Sequence, residues 1–326
     1  MAKISITTVL VPGADGPAGI NTIKSLRMAQ FSGKIVASDS SPISAGFFMS
    51  DASEIIPEAD NALFLERLMN LISKHKITVL MPSSGYDIYP YSEVKDELLK
   101  GGIVAVVSDI RTLQICRDKF LTYKTLLNKF DLPFTTVDPE KIREFPLIAK
   151  PRYGKGSRDI LKIDDEKDLN YVLAKFDDLV FQEYLPGTEY TIDVLSNLKQ
   201  KPLVAVPRIR LQTKAGISTK GKIVHDERTE DLCKSIAGYL KINGPCCIQM
   251  KESYEGILKF VEINPRLGGG TIFTALAGVN FPSLIIEMAE GREPVIPAFS
   301  EITVIRHYEE IVIRNENLLK SASSLL

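Results

Sequence analysis

Residues 245–270, PCCIQMKESYEGILKFVEINPRLGGG, alternate in the manner of two strands joined by a polar turn. Between Phe260 and Asn264 the two-residue period of a strand places Val261 and Ile263 on one face and Phe260, Glu262 and Asn264 on the other. Cys247 to Lys251 form the preceding strand, and residues 252–256, ESYEG, form the loop between them. Antiparallel pairing brings Gln249 beside Glu262 and Asn264, three oxygen donors of the kind a hard divalent cation takes. Pro265 ends the strand and Arg266 follows it, where a guanidinium fixed on a turn suits carboxylate or phosphate oxygens. A half-exposed hairpin with a Glu–Arg ion pair fits the same residues, so the hairpin taken alone leaves both readings open.

Working outward to the N-terminus, residues 4–11 (ISITTVLV) read as a strand, PGADGPAG as a Gly-rich turn, residues 20–30 as a helix, and KIVASDSSP as a second strand ending at Asp39. This order is the start of a doubly wound parallel sheet. A helix over 62–75, a third strand in TVLMPSSG (78–85), a further helix and GIVAVVS (102–108) complete an α/β unit. The short apolar run at the N-terminus lacks a small-residue cleavage site and reads as that first strand, not as a signal peptide.

Gly13, Gly16 and Gly19, with Asp39 closing the second strand, approximate a dinucleotide fingerprint. The spacing is GxxGxxG, however, and Asp15 stands where a carboxylate would repel a pyrophosphate. A pocket for a small substrate and a simple tight turn are the other readings of this turn. Ser83 and Asp87 lie at the same carboxyl edge of the sheet and are weaker substrate-contact candidates.

A helical segment over 110–130 is followed by strand FPLIAKP (145–151), loop RYGKGSRD (152–159), strand ILKI, helix DEKDLNYVLAKF (165–176) and strand LVFQEYL (179–185), an α+β pattern. Lys150 ends an apolar strand, and the loop after it offers Gly154 and Gly156 for backbone closure over a phosphate and the Ser157 hydroxyl as a donor. A solvated basic turn is the alternative. Gln182-Glu183-Tyr184-Leu185, with Glu189 beyond, reads either as an edge for adenine with a ribose-binding carboxylate or as a polar strand rim. Antiparallel strands over 190–226, a helix over 228–241, the opening hairpin, a helix over 271–290, a strand over 302–314 and a frayed tail follow.

Lys plus Arg total 40 against 41 Asp plus Glu, so no overall field favours nucleic acid or an anionic membrane. No apolar run approaches the roughly 18 residues of a membrane span, which points to a cytoplasmic protein. Four cysteines without CxxC spacing and three dispersed histidines indicate neither a disulfide framework nor a zinc site.

DKF at 118, IAKPRYGKGS at 148, QEYLPGTEYTIDV at 182, the Gln249 strand and VEINPR at 261 together resemble the ATP-grasp superfamily, and within it the carbamoyl-phosphate synthase large-subunit and amino-acid ligase group. The resemblance spans residues 1–313. It implies a pre-ATP-grasp doubly wound domain at 1–110, an ATP-grasp N-terminal lobe with a phosphate lid loop at 111–187, and a C-terminal lobe with the metal site at 188–326. It further implies that Lys119 and Lys150 hold ATP phosphates under a lid of Gly154, Gly156 and Ser157. Glu183, Tyr184 and Leu185 become the adenine hinge and Glu189 the ribose acid. Gln249, Glu262 and Asn264 become ligands for magnesium, two ions in this group, with Mn2+ as an alternative. Arg266 stands beside the transferred phosphoryl group, with Lys150 and Arg210 as further catalytic residues and Arg208 near the phosphates or substrate. The implied activity is an ATP-dependent carboxylate–amine ligase working through an acyl phosphate on small carboxylate and amine substrates, with a homodimer open. An ATP-binding subunit without turnover and a bicarbonate-phosphorylating synthase are the alternatives. Gln249 departs from the acid many relatives carry, and AGIS at 215 lacks the acid often found after that glycine.

Overall fold

The computed structural model describes residues 7–85, 87–154 and 159–313. Strands β1 (Thr8–Pro12), β2 (Lys34–Asp39), β3 (Ala52–Ile55), β4 (Val79–Leu80) and β5 (Val104–Ala105) form a parallel sheet in the order β3-β2-β1-β4-β5. The central strand is buried along its whole length. Its alternation sends Val9 and Val11 toward Ile23 and Leu26 of α1 (Pro17–Met28), and Leu10 toward α2 (Phe64–His75) and α3 (Ile88–Lys100), so helices cover both faces. A Cβ on Gly19 would lie 2.4 Å from the Gly13 carbonyl oxygen, so part of the GxxGxxG pattern serves close packing of α1 against the turn. Helix α1 starts at Pro17, three residues before the expected position 20, because proline in the first turn has its φ preset and no N–H to leave unpaired.

The helical segment expected over 110–130 divides into α4 (Ile110–Arg117) and α5 (Lys119–Leu126). Asp118 causes the break: its carboxylate accepts the Phe120 and Leu121 N–H groups at 3.0 Å each and starts a new helix. The second sheet is antiparallel, with β6 (Thr135–Thr136), β7 (Leu147–Pro151), β8 (Leu161–Ile163) and β9 (Leu179–Glu183) ordered β6-β9-β7-β8. Helix α6 (Glu166–Lys175) packs on it through Val172, against Leu147, Ala149, Ile163 and Phe181.

The third sheet holds β10 (Glu189–Ser196), β11 (Pro202–Lys214), β12 (Ile217–Ile223), β13 (Pro245–Glu252), β14 (Leu258–Asn264) and β15 (Thr303–Ile305), ordered β14-β13-β10-β11-β12-β15. One face packs on Cys233 and Ile236 of α7 (Glu227–Tyr239). The other face contributes Leu195 and Val206 to a core shared with α8 (Thr271–Leu276), α9 (Phe281–Ala289) and the α1 side of the parallel sheet. That shared core fixes the parallel sheet against the third sheet, and the carboxyl ends of its strands face the end of β14.

Two further expectations change. The helix over 271–290 breaks at Gly278, whose φ of +117° ends α8. The strand over 302–314 narrows to Thr303–Ile305, where its ladder with β12 stops. The expected tail, the lid residues Gly156 and Ser157, and residues 4–6 of the first strand lie outside the described residues. Among the described residues no helix is long and apolar enough to cross a membrane.

Candidate active site

The opening hairpin forms as β13 and β14, with Gln249 directly opposite Glu262 and Cys247 opposite Asn264. Met250 then pairs with Phe260, so Val261 is an extra residue on β14. This bulge shifts the alternation, and Phe260 and Ile263, three apart, both enter the core with Ile248 and Met250. Phe260 therefore does not share a face with Glu262 and Asn264, which corrects the expectation from strict alternation. The bulge also gives the site an acceptor, because Lys150 Nζ donates to the Val261 carbonyl at 3.4 Å.

Lys150 leaves β7 on the face opposite Ala149 and is 4% exposed. Its second acceptor is Gln182 Oε1 at 2.9 Å, and Gln182 Nε2 donates in turn to Thr135 Oγ1 at 3.0 Å, which fixes the amide. Burial pulls the Lys150 pKa down to about 8; the Glu262 carboxylate opposes that shift and the Lys119 ammonium adds to it. A displacement of that size means that the folded site disfavours the ammonium by on the order of 3 kcal/mol relative to water. A buried ammonium with neutral acceptors only is a costly arrangement until an anion joins it.

Lys119, the first residue of α5, donates to the Pro151 and Gly154 carbonyls at 3.0 and 3.2 Å and so ties the entry of the glycine loop. Its pKa is lowered by burial, against the pull of Glu262 and Asp118. Behind it Arg152 grips Asp118 with two hydrogen bonds at 2.8 and 2.6 Å, and Tyr153 adds a third at 3.0 Å. Burial raises the Asp118 pKa, but these hydrogen bonds outweigh it and hold the carboxyl below its usual value.

The third sheet supplies the facing wall. Arg210 donates to Glu189 Oε1 and to the Gly216 carbonyl, each at 2.7 Å, and burial lowers its pKa while Glu189 opposes. Arg208, 2% exposed, donates to Ser218 Oγ at 2.8 Å and lies 3.7 Å from Asp193 Oδ2. The Nε atoms of both arginines are buried without a partner. A Cβ on Gly270 would come within 2.2 Å of Arg208 Nη2, so the glycine run after Arg266 lets the backbone cross that guanidinium.

Asn264 Nδ2 donates to Glu262 Oε1 at 3.2 Å, and Arg266 donates to the Leu267 carbonyl at 2.9 Å and to Asn264 Oδ1 at 3.5 Å. The simple Glu–Arg ion pair is therefore not what the hairpin builds. Gln249, Glu262 and Asn264 converge as one carboxylate and two amides; among the described residues no three or more His, Cys, Asp or Glu groups cluster as a metal site.

A cleft of about 460 Å3 runs between the second and third sheets, and it brings together Lys119, Lys150, Gly154, Glu183, Leu185, Glu189, Arg210, Gln249, Glu262, Asn264 and Arg266. Tyr184 does not line it; its ring lies under Lys162 and Lys251, at 4.8 and 5.6 Å. The Glu183 carboxylate is already held by Lys259 at 2.8 and 2.9 Å and by the Phe134 N–H at 3.2 Å. The cleft opens into a cavity of about 1200 Å3 reaching Tyr89 and Arg117, and a third of about 430 Å3 lies at the carboxyl ends of the parallel strands, lined in part by Ser83 and Asp87. Among the described residues Arg266 alone lines all three. Sequence reasoning missed Gln182 as the Lys150 acceptor, Asp118 with Arg152, and Lys259 on Glu183. Of these only Asp118 carried a local signal, as an Asp before a helix-forming run.

A family model described as ATP-grasp in the biosynthetic pathway with Ter operon matches residues 175–311. The D-alanine--D-alanine ligase of Petrotoga mobilis is 29% identical over 117 residues, 34% of this chain and 39% of that protein. The carbamoyl-phosphate synthase of Methanobrevibacter smithii is 24% identical over 239 residues, 66% of this chain and 65% of that protein, so the chain spans less than two thirds of either relative. Among solved structures, the biotin carboxylase domain of Hydrogenobacter thermophilus 2-oxoglutarate carboxylase, in complex with MgADP, ADP and bicarbonate, matches with a TM-score of 0.69 at 16% identity, covering 88% of this chain and 70% of that one. At that identity the likeness is one of fold. With the basic cleft between two antiparallel sheets, these matches identify the chain as a member of the ATP-grasp superfamily.

Proposed function

We propose that this chain is an ATP-dependent ligase that activates a small carboxylate as an acyl phosphate and joins it to an amine. The observation that carries the reading is Lys150: a buried cation whose hydrogen bonds go to neutral acceptors, in a cleft walled by Lys119, Arg208 and Arg210. Such a cleft is built for a polyanion. In this reading residues 1–110 are the pre-ATP-grasp domain, and 111–187 and 188–326 are the two lobes that hold the nucleotide between them.

Lys119 and Lys150 would bind the phosphates, with Gly154, Gly156 and Ser157 closing over them. The backbone at Glu183 to Leu185 would meet adenine, and Glu189 would accept a ribose hydroxyl. The all-oxygen donors Gln249, Glu262 and Asn264 fit magnesium, which when bound supplies neutralisation of phosphate charge. Arg266 would orient the substrate carboxylate, a role supported by its lining both the proposed nucleotide cleft and the cavity at the parallel strands. A carboxylate oxygen would attack the terminal phosphorus as ADP leaves, and the amine would then attack the acyl carbon as phosphate leaves. Phosphoryl transfer asks mainly for positioning and charge neutralisation, and these residues supply both.

Incubation with ATP, magnesium and pooled carboxylates and amines should release phosphate only when both pools are present. ATP binding without release under any pool would favour a second reading, an ATP-binding module without turnover. The single carboxylate among the three metal-site residues favours that reading. Absence of ATP binding would sink both.

A further inference from the structure

We infer that the cavity at the carboxyl ends of the parallel strands is a subsite for a protonated nitrogen carried by the carboxylate substrate. Asp15, Asp39 and Glu58 receive the nitrogen while Arg266 takes the carboxylate; the role of the ligand as substrate rests on the ligase reading above.

The cavity, about 430 Å3, falls within the size range of small-ligand sites. Its charge is one-sided. Asp15 comes from the β1–α1 turn, Asp39 from the end of β2 and Glu58 from the segment after β3, the edge where parallel sheets hold ligands. Among its described lining residues Arg266 is the single Lys, Arg or His.

The three carboxylates are held in place without being neutralised. Asp39 accepts the Asp15 and Ser41 N–H groups at 2.8 and 3.0 Å, Asp15 accepts the Ala45 N–H at 3.3 Å, and Glu58 accepts the Ser40 hydroxyl. Every one of these donors is neutral, and among the described residues none of the three carboxylates sits in an ion pair. Three like charges around one cavity repel an anionic ligand and attract a cation.

Ser38 points to a ligand independently. It is fully buried on β2, lines the same cavity, and its Oγ has no hydrogen-bond partner. Strand alternation puts it on the Val36 face, with Ile56 and Phe64, which also line the cavity. A buried hydroxyl normally finds a partner, and an N–H donor in the cavity would supply one.

Thermal shift and calorimetric titration of the full chain with 6-aminohexanoate, L-ornithine, hexanoate and glutarate test the inference. The two amines should stabilise and bind, the two nitrogen-free acids should not, and about 0.5 M salt should weaken the amine binding. Glu58→Gln combined with Asp15→Asn should lower amine affinity roughly tenfold or more, because each change removes charge and keeps an acceptor. If that pair does not fold, Ser38→Ala should lower amine affinity while glutarate still fails to bind. Glutarate or hexanoate binding as tightly as the amines, amine affinity unchanged in the variants, or no binding of either amine would each overturn the assignment. Amine binding without ATP turnover would sink the ligase reading and leave the subsite; phosphate release stimulated by glutarate and not by amines would do the reverse.

Discussion

The cleft between the antiparallel sheets and the cavity on the parallel sheet meet at Arg266, yet their charges are opposite and so is the way those charges are held. In the cleft Lys150, Arg208 and Arg210 stand on strands and Lys119 opens a helix: Lys150 and Arg208 are 4% and 2% exposed, and the pKa values of Lys119, Lys150 and Arg210 are all pulled down by burial. In the cavity Asp15 and Glu58 stand on connecting segments and Asp39 at the last position of β2, and neutral donors orient all three. In the proposed reading, positions within regular elements would give a fixed phosphate grip, whereas connecting segments vary freely on a constant scaffold and would suit the choice of substrate. That reading assigns the chemistry common to many substrates and the selection of one to different parts of the scaffold.

The largest effect that could break this contrast is Lys150→Met. ATP-dependent phosphate release should fall by roughly 10²–10³-fold, the cost typical of removing one donor to developing charge. The fold should hold or gain stability, because a buried ammonium is replaced by an apolar chain of similar length. Turnover within a few-fold of the parent would move the chemistry out of the cleft. Next, Glu262→Gln conserves volume and removes the one carboxylate among the metal-site residues, so magnesium-dependent turnover should be abolished with the melting temperature unchanged. Retained turnover would show the metal site to be elsewhere.

A pH titration sharpens the comparison further. The Lys150 pKa is about 8 in the folded chain against 10.5 for an ordinary lysine. Between those values the unfolded chain binds more protons, so stability of the ligand-free protein should rise with pH across that window. ATP affinity, which needs the ammonium, should fall across the same window, up to about tenfold per unit, while amine binding at the carboxylates holds until the amine itself loses its proton. Parallel losses at both sites near pH 8 would break the distinction. The smallest effect is Asp118→Ala, which removes the α5 cap and the Arg152 grip and should cost about 1–3 kcal/mol in chemical denaturation. The amine site, on a separate sheet, should be unaffected.

Much of this was legible in the residues. The Gly-rich turn between two apolar runs announced a parallel sheet, because few other sequences place a tight turn between a buried strand and a helix. VEINPR and IAKP announced polar groups at strand ends. The bulge at Val261 was not legible, since an extra residue looks like ordinary alternation until the partner strand sets the register. The helix break at Asp118 was legible only as an Asp before a helix-forming run; periodicity continues through it, and the cap and Arg152 decide. Gln182 and Lys259 belong to strands whose neighbours follow from topology, not from spacing, so their contacts with Lys150 and Glu183 emerge only in the folded chain.

Calorimetric titration of ATP with magnesium into the parent chain and into Lys150→Met tests the central claim most directly. The parent should bind, and the variant should lose roughly tenfold or more in affinity, since a charge-assisted contact to phosphate is removed from a buried site. Equal affinity in the two proteins would contradict the assignment of this cleft to the phosphates.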